Sequence, residues 1–302
     1  MEKVSVIIAT YNSEKTIDRL IRSILNQQGI NERFTIEIII ADDASRDRTI
    51  EIASAYPVAI LPNEKNSGGP NKGRNNGLRF ATGDYICIAD HDDEWHDDKI
   101  INTIDYLKKV PIVTSGYILY DSIKSAPLDR SSHVQNGYIY YGINETFIRK
   151  LTKSNAGQSA YLGSLIYRSN LKNIEFEEIH GQVDFDWVLK LFRNNDSIEV
   201  SQPLYNRFVD GSNLSLNINY RTTDYLYSIK TVEEYAAEFP KEARLGIKRL
   251  HGSFGRYHYL MNSMKEARKY LLMAGISPKI LAYYLTTFCC SRFIVKHFHI
   301  LG

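Results

Sequence analysis

The sequence predicts an α/β protein: a mostly parallel sheet covered by helices, followed by a helical C-terminal region. Three observations carry this. Over the first 110 residues, apolar β-prone runs alternate with amphipathic helical segments, the pattern of a parallel sheet buried on both faces. Three of those runs end in polar clusters: Thr10-Tyr11-Asn12, Asp42-Asp43 and Asp90-His91-Asp92-Asp93. Residues 220–302 read as several helices.

Each element follows from its own pattern. Val4 to Ala9 is a continuous apolar run and reads as a buried strand. From Ser13 to Gln28 the residues Ile17, Leu20, Ile21, Ile24 and Leu25 share one helical face, and Gly29 stops the helix. Ile36 to Ala41 is a second buried strand, followed by a short helix over Arg46 to Ala55 and a third strand over Val58 to Leu61. Asn66 to Gly69 is a Gly-rich loop ahead of a helix over Asn71 to Ala81. Tyr85 to Ala89 is the fourth strand and Asp97 to Lys109 the next helix. Ile112 to Tyr120 and Ser159 to Tyr167 read as strands, separated by a polar, loop-rich stretch over 121–158. Gln182 to Arg193 is a helix that is apolar almost all round, so it is expected to be buried, yet Asp184 and Asp186 stand in its first turn.

Composition narrows the function classes. The chain has 302 residues, 43% hydrophobic and 24% charged, with a formal charge of +2. This is the make-up of a soluble globular protein and does not suggest nucleic acid binding. The three cysteines, Cys87, Cys289 and Cys290, make no disulfide framework, so a reducing cytosol is expected. No uninterrupted apolar stretch reaches the ~20 residues that span a bilayer. After Glu266 there is no acidic residue, while Arg268, Lys269, Lys279, Arg292 and Lys296 remain, and Ile280 to Ser291 is apolar and aromatic. Such an end either lies on an anionic membrane surface or packs as a helix on its own domain.

In parallel α/β sheets ligands bind beyond the carboxyl ends of the strands, where the three polar clusters fall. The Asp90 to Asp93 turn is the most informative of them. Three carboxylates at the end of a buried strand repel one another and resist desolvation. A divalent cation with a phosphate-bearing ligand would justify them, because hard cations take oxygen ligands. A solvated turn with a helix N-cap would also account for them. The dinucleotide-binding glycine fingerprint, the P-loop, zinc spacing and the G-x-S-x-G elbow are all absent.

The order of motifs then becomes recognisable. Val4-Ser5-Val6-Ile7-Ile8-Ala9-Thr10-Tyr11-Asn12 is followed by Glu37-Ile38-Ile39-Ile40-Ala41-Asp42-Asp43-Ala44-Ser45. Next come Asn66-Ser67-Gly68-Gly69-Pro70 and Gly73-Arg74-Asn75-Asn76-Gly77-Leu78, then Ala81-Thr82-Gly83-Asp84-Tyr85-Ile86 leading to Asp90-His91-Asp92-Asp93. Over roughly residues 1–215 this strongly resembles the inverting family 2 glycosyltransferases of GT-A fold. The resemblance implies a glycosyltransferase domain over 1–215, with its nucleotide half at about 1–110 and its acceptor half at about 111–215. Residues 216–302 form the helical C-terminal region.

The resemblance also implies a nucleotide-sugar donor and a cofactor, Mn2+ or Mg2+, with Asp90-His91-Asp92 as the family's D-x-D motif. Asp92 would bind the metal bridging the donor phosphates, Asp90 would face the ribose, and Asp93 would support the turn. Asp43 matches the residue that reads the base; a carboxylate accepts from the N3–H of uracil or thymine or the N1–H of guanine, and cytosine is disfavoured. UDP is therefore the expected nucleotide. Tyr11 can stack on the base, Thr10 and Asn12 complete that strand end, and Arg74 can contact the diphosphate. Asp42 and Asp43 can also serve as helix caps ahead of Ser45.

The family's catalytic base is the Asp of a Glu-Asp pair opening a helix. Val183-Asp184 occupies that place, so Asp184 carries the role, with Asp186 in reserve. A helix cap is the other reading of Asp184. Val209 stands where the family often has a His, leaving Arg207 to act on the diphosphate. His180 and Gln182 are placed near the acceptor. The expected acceptor is a glycan or lipid-linked sugar at the cytoplasmic face of a membrane, with peripheral contact through the C-terminal end. A nucleotide-sugar hydrolase, a nucleotidyltransferase or an inactive binding module would use the same donor residues.

Overall fold

The structure, a computed structural model, is described for residues 1–122, 126–132, 134, 137–154, 157–209 and 218–288. The chain divides into two compact units, Met1–Phe147 with Gly157–Leu216, and Ile148–Ala156 with Asn217–Gly302.

The first unit begins as the sequence pattern requires. Strands β1 (Glu2–Thr10), β2 (Phe34–Asp42), β3 (Ala59–Pro62) and β4 (Tyr85–Asp90) are joined by helices α1 (Ile17–Leu25), α2 (Thr49–Ala53) and α3 (Asn71–Phe80). All three pairings among these strands are parallel, in the order β3-β2-β1-β4. The register aligns the polar strand ends. Thr10 lies opposite Asp42 on one side of β1, and Ala9 opposite Asp90 on the other. Ile17, Leu20, Ile21 and Ile24 of α1 are buried with Val4, Val6, Ile8, Ile38 and Ile40. Gly77 of α3 crosses over Ile7, where a Cβ would meet the Ile7 side chain. Alternate β1 residues thus face opposite layers.

Beyond Asp90 the sheet continues through β5 (Glu94–Trp95), α4 (Lys99–Thr103), β6 (Ile112–Asp121), β7 (Leu128–Asp129), β8 (Tyr138–Tyr141), α5 (Glu145–Leu151), β9 (Ile166–Arg168), α6 (Phe185–Phe192) and β10 (Ser197–Val209). The strand order is β3-β2-β1-β4-β9-β6-β10-β5, with β7 on β6 and β8 on β10. β10 runs parallel to β6, whereas β5, β7, β8 and β9 pair antiparallel. The longest ladders are parallel, so the sheet is mostly parallel, as expected, with helices flanking it.

Several expected elements are shorter or different. The helix expected over 97–109 is one α turn followed by a 3-10 segment, Ile104–Lys108. The strand expected over 159–167 reduces to β9, preceded by a 3-10 turn at Leu162–Ser164. The stretch 121–158 is not only loop, since β7, β8 and α5 fall in it. β10 is the largest element the pattern hides. Its ladder with β6 shifts register around Pro203, which has no N–H to donate.

The second unit is helical, with α7 (Ile218–Glu234), α8 (Pro240–Leu260), α9 (Met264–Met273) and α10 (Pro278–Thr286). Tyr259, Ala267, Leu271 and Tyr283 form its buried cluster. Tyr225 stacks on Phe254 at 4.2 Å between ring centroids and shares a 2.8 Å hydrogen bond with His251. No helix among the described residues is long and apolar enough to cross a membrane.

Candidate active site

The carboxyl edge of β1, β2 and β4 is built by side chains tying one strand end to the next. Asp42 is fully buried and accepts hydrogen bonds from Thr10 Oγ1 (2.9 Å), Ser45 Oγ (2.5 Å) and Ser45 N (2.9 Å). Asp42 thus holds the loop after β1 to the loop after β2. Asn12 adds to this by accepting from Arg46 N, while its own N–H donates to Ser45 Oγ. Ala44 adopts φ +63 in that turn, a left-handed conformation that costs a side chain roughly 1–2 kcal/mol. Tyr11 stands at the rim, 46% exposed, with its ring free to cover a planar group.

Asp43 is also spoken for. Its carboxylate accepts from Asn63 Nδ2 (2.7 Å), Ser67 N (2.9 Å to one oxygen) and Ser67 Oγ (3.0 Å). These bonds pin the Gly-rich loop 66–69 against the end of β2. A base read by Asp43 would share the carboxylate with, or displace, these donors, a competition the sequence did not reveal.

The acidic turn divides its carboxylates by depth. Asp90 accepts a 2.9 Å ion-pair bond from Arg74, which is itself buried. Asp92 is half-buried, and its backbone carbonyl is held by Arg19 from α1 at 2.5 Å. Arg19 also lies 4.0 Å over the Phe208 ring. His91 Nδ1 lies 3.1 Å from Thr16 Oγ1. Asp93 is only 3% exposed. Burial, then the nearby Asp90 charge, raises the Asp92 pKa, against the opposing pull of His91 and Arg207. Burial and both neighbouring aspartates raise Asp93 well above the usual carboxylate range, opposed by Arg207 and Lys99.

Two cations flank the turn. Arg207, on β10, lies 4.7 Å over the Tyr161 ring. Burial disfavours its charge, but Tyr205, Tyr161, Tyr117 and Asp90 more than restore it, so its pKa is raised. Arg207 and Val209 lie two residues apart on β10, so their side chains fall on one face of the strand. Lys99 is 1% exposed and donates to the Gly163 carbonyl at 2.8 Å, with the faces of Trp95 and Tyr205 each 5.0 Å away. Nothing in the sequence marked Lys99, which stands at a helix start where a lysine usually faces water.

Asp184 is the residue before α6 and is half-buried. Val183, in the family's Glu position, is fully buried and belongs to the core. Asp186 is 2% exposed and pairs with Lys190 at 2.9 Å. It therefore faces the interior, and Asp184 is the more open carboxylate. Trp187 fixes the helix: its ring stacks on Phe176 at 4.4 Å and its Nε1 donates to the Ile174 carbonyl at 2.8 Å. Gln182 donates to the Gly68 carbonyl, and the backbone N of exposed His180 donates to Glu177.

The acidic turn suits a divalent cation of the kind the fold implies. Its donors are hard oxygens, and among the described residues Asp92 and Asp93 form no ion pair. Burial and mutual repulsion disfavour the charges of Asp92 and Asp93, which a bound cation would offset. Among the described residues no group of three or more acidic, His or Cys side chains is gathered as a closed cage. The fit is that of a single protein carboxylate with ligand oxygens, as Mg2+-type ions accept.

Comparison with known proteins agrees with this architecture. Solved TarS 1–349 from Staphylococcus aureus matches 98% of this chain and 91% of its own, with a TM-score of 0.65 and 19% identity. The mannosyltransferase PcManGT from Pyrobaculum calidifontis, solved with GDP-Man and Mn2+, matches 97% of this chain and 81% of its own (TM-score 0.59, 17% identity). The fold is therefore GT-A, a glycosyltransferase architecture. In sequence, the poly(ribitol-phosphate) beta-N-acetylglucosaminyltransferase TarS of S. aureus is 40% identical over 97 residues, 31% of this chain and 17% of that protein. The Escherichia coli UDP-Glc:alpha-D-GlcNAc-diphosphoundecaprenol beta-1,3-glucosyltransferase WfaP is 40% identical over 123 residues, 39% of this chain and 47% of its length. The matched stretches thus span less than half of either relative. The model of the family Glycosyl transferase family 2 matches residues 5–174, more than half of the chain. The chain belongs to that family.

Proposed function

We propose that the protein is an inverting glycosyltransferase that moves a sugar from a UDP-sugar to a hydroxyl of a glycan or lipid-linked sugar. The observation that carries this reading is the alignment of Asp42, Asp43 and Asp90 to Asp93 at one sheet edge, in a chain of this family. The names of relatives support the donor and acceptor classes: WfaP takes UDP-Glc and a diphosphoundecaprenol-linked sugar, and TarS glycosylates poly(ribitol-phosphate).

In this mechanism Tyr11 covers the base, Asp43 reads its N–H, and Thr10 and Asn12 shape that strand end. Asp90, steadied by Arg74, faces the ribose. Asp92 would hold Mn2+ or Mg2+, which would supply Lewis-acid neutralisation of the departing diphosphate. Arg207 adds a fixed positive charge, Asp42 braces the floor, and buried Asp93 supports the turn. Asp184 removes the acceptor hydroxyl proton. The acceptor oxygen bonds to the anomeric carbon as the carbon–oxygen bond to the diphosphate breaks, and the electron pair leaves with UDP. Attack opposite the leaving group inverts the anomeric centre.

Asp184→Asn tests the acceptor side. UDP affinity should stay within about twofold while turnover falls at least about 100-fold, the usual worth of a general base. Undiminished turnover would remove the base from Asp184. Release of UDP that does not depend on any acceptor would instead favour a hydrolase. For the second unit we propose peripheral contact with an anionic membrane on the cytoplasmic side. Leu272, Ile276, Leu281, Leu285 and Phe288 are exposed beside Lys265, Lys269 and Lys279. Co-sedimentation with phosphatidylglycerol vesicles, and none with phosphatidylcholine alone, is expected; equal recovery with both would refute the charge argument.

A further inference from the structure

We propose that Asn71 is a positioning residue that sets the Asp184 carboxylate against the donor floor. The inference rests on the reading of Asp184 as the base, and goes beyond it in naming what holds that base in place.

Asn71 opens α3 and is fully buried. A buried amide has two N–H donors to satisfy and a carbonyl that needs a donor. Asn71 uses all of them. Its Nδ2 donates to the Glu177 carbonyl at 2.9 Å and to the Val183 carbonyl at 2.8 Å. Its Oδ1 accepts from Arg74 Nη1 at 3.1 Å, and its backbone N donates to the Gly181 carbonyl at 3.0 Å. One side chain therefore closes the loop 177–183 on itself and ends on the residue just before Asp184. Through Arg74, whose other nitrogen bonds Asp90 at 2.9 Å, the same network reaches the acidic turn.

Two further features make this junction specific. Asn75, one turn along α3 and 1% exposed, donates to the Phe176 carbonyl at 2.9 Å and accepts from Phe176 N at 2.8 Å. Phe176 is the ring on which Trp187 stacks, so the chain is anchored on both sides of Asp184, at Phe176 before it and at Trp187 after it. Gly69 meets the same loop so closely that a Cβ there would come within 2.6 Å of the Gly181 backbone carbon. Such a network has few alternatives, because any member left unpaired in the interior is costly. Misplacing a catalytic group by about 1 Å can cost on the order of 100-fold in rate.

The test is a double-mutant cycle of Asn71→Ala and Asp184→Asn. Turnover is read as acceptor-dependent UDP release from UDP-glucose or UDP-N-acetylglucosamine, with poly(ribitol-phosphate) or a diphosphoundecaprenol-linked GlcNAc as acceptor, together with UDP affinity by calorimetry and hydrogen exchange over residues 176–188. Asn71→Ala should lower kcat about 10- to 100-fold, leave KM for the donor and UDP affinity within about threefold, and speed exchange in that segment. In the Asp184→Asn background it should change kcat by less than about threefold, since the base it positions is already gone. Multiplicative loss in the double variant would overturn the proposal. So would unchanged exchange over 176–188, or UDP affinity falling as much as kcat, which would place Asn71 on the donor side. Full turnover of Asp184→Asn alone would instead sink the assignment of the base.

Discussion

Replacing Lys99 by Met separates the cost of a buried charge from the packing around it. Burial lowers the Lys99 pKa from 10.5 to about 8, while Cys87 and Asp93 pull it back upward. At about 1.4 kcal/mol per pH unit, that gap is worth roughly 3 kcal/mol of folding free energy. The sign follows from proton counts. The unfolded chain keeps Lys99 protonated up to about 10.5, the folded chain only up to about 8. Between those values the unfolded state holds more protons, so stability rises with pH. The charge costs roughly 3 kcal/mol at pH 7 and only about 1.4 kcal/mol at pH 9.5. Met at this site titrates nowhere and keeps a similar volume. The stability of the wild type minus that of Lys99→Met should therefore grow by about 2 kcal/mol from pH 7 to pH 9.5. Cys87, which burial pushes up to about 12, titrates in both proteins and largely cancels in the difference. Urea unfolding followed by tryptophan fluorescence reads this cleanly, since Trp95 and Trp187, the only two tryptophans, both lie in the first unit. A difference that stays flat between those pH values would refute a depressed Lys99.

Two other perturbations follow from the strand ends. Ala44→Gly should raise stability by about 0.5–1 kcal/mol, because glycine relieves the φ +63 turn at a smaller entropic cost; the urea midpoint reports it, and a lower midpoint would contradict the left-handed turn. Asp92→Asn should remove the Mn2+-dependent part of UDP binding, so that adding EDTA lowers the wild-type affinity about 10-fold or more and the variant's hardly at all. A wild type indifferent to EDTA would remove Asp92 from metal binding.

The half of the fold that could be read from residues is the half in which one physical rule dominates. β1, β2 and β4 are buried on both faces, so their apolar runs are continuous, and their ends are marked by the polar clusters. β10 obeys no such rule: Pro203 breaks its alternation, and Ser201 and Gln202 interrupt its apolar face. The 3-10 segments at Leu162–Ser164 and Ile104–Lys108 keep apolar spacing that a strand or an α-helix would also satisfy. The site shows the same division. The carboxylates of the acidic turn were visible because burying them has no structural reward. Asp186 reads in the sequence as a reserve base; in the structure it is buried and paired with Lys190, four residues on. Asn71, Asn75 and Lys99 gave no signal, since an amide or ammonium in a helix is ordinarily solvated. The loop 176–184, distant in sequence, makes Asn71 and Asn75 interior groups, and Gly163, Trp95 and Tyr205 enclose Lys99.

That distance also explains why the junction is polar. α3 meets the loop 176–184 through polar side chains: Asn71 and Asn75 by hydrogen bonds, Arg74 over the Phe176 ring and Arg79 by an ion pair with Glu178. An apolar contact would hold the loop with comparable free energy but with latitude in register, because hydrophobic burial is non-directional. Hydrogen bonds from one amide to two carbonyls fix both distance and direction, and an error leaves a buried group unpaired. The proposed base, Asp184, follows a loop that is distant in sequence from the strand ends, so directional restraint matters there more than added stability. The cost falls on α3, whose composition is poor for a helix and whose Gly73 and Gly77 are there to let β1 and β2 approach. The sequence Asn71-Lys72-Gly73-Arg74-Asn75-Asn76-Gly77 is thus weak as a helix in isolation and is held in place by what it touches.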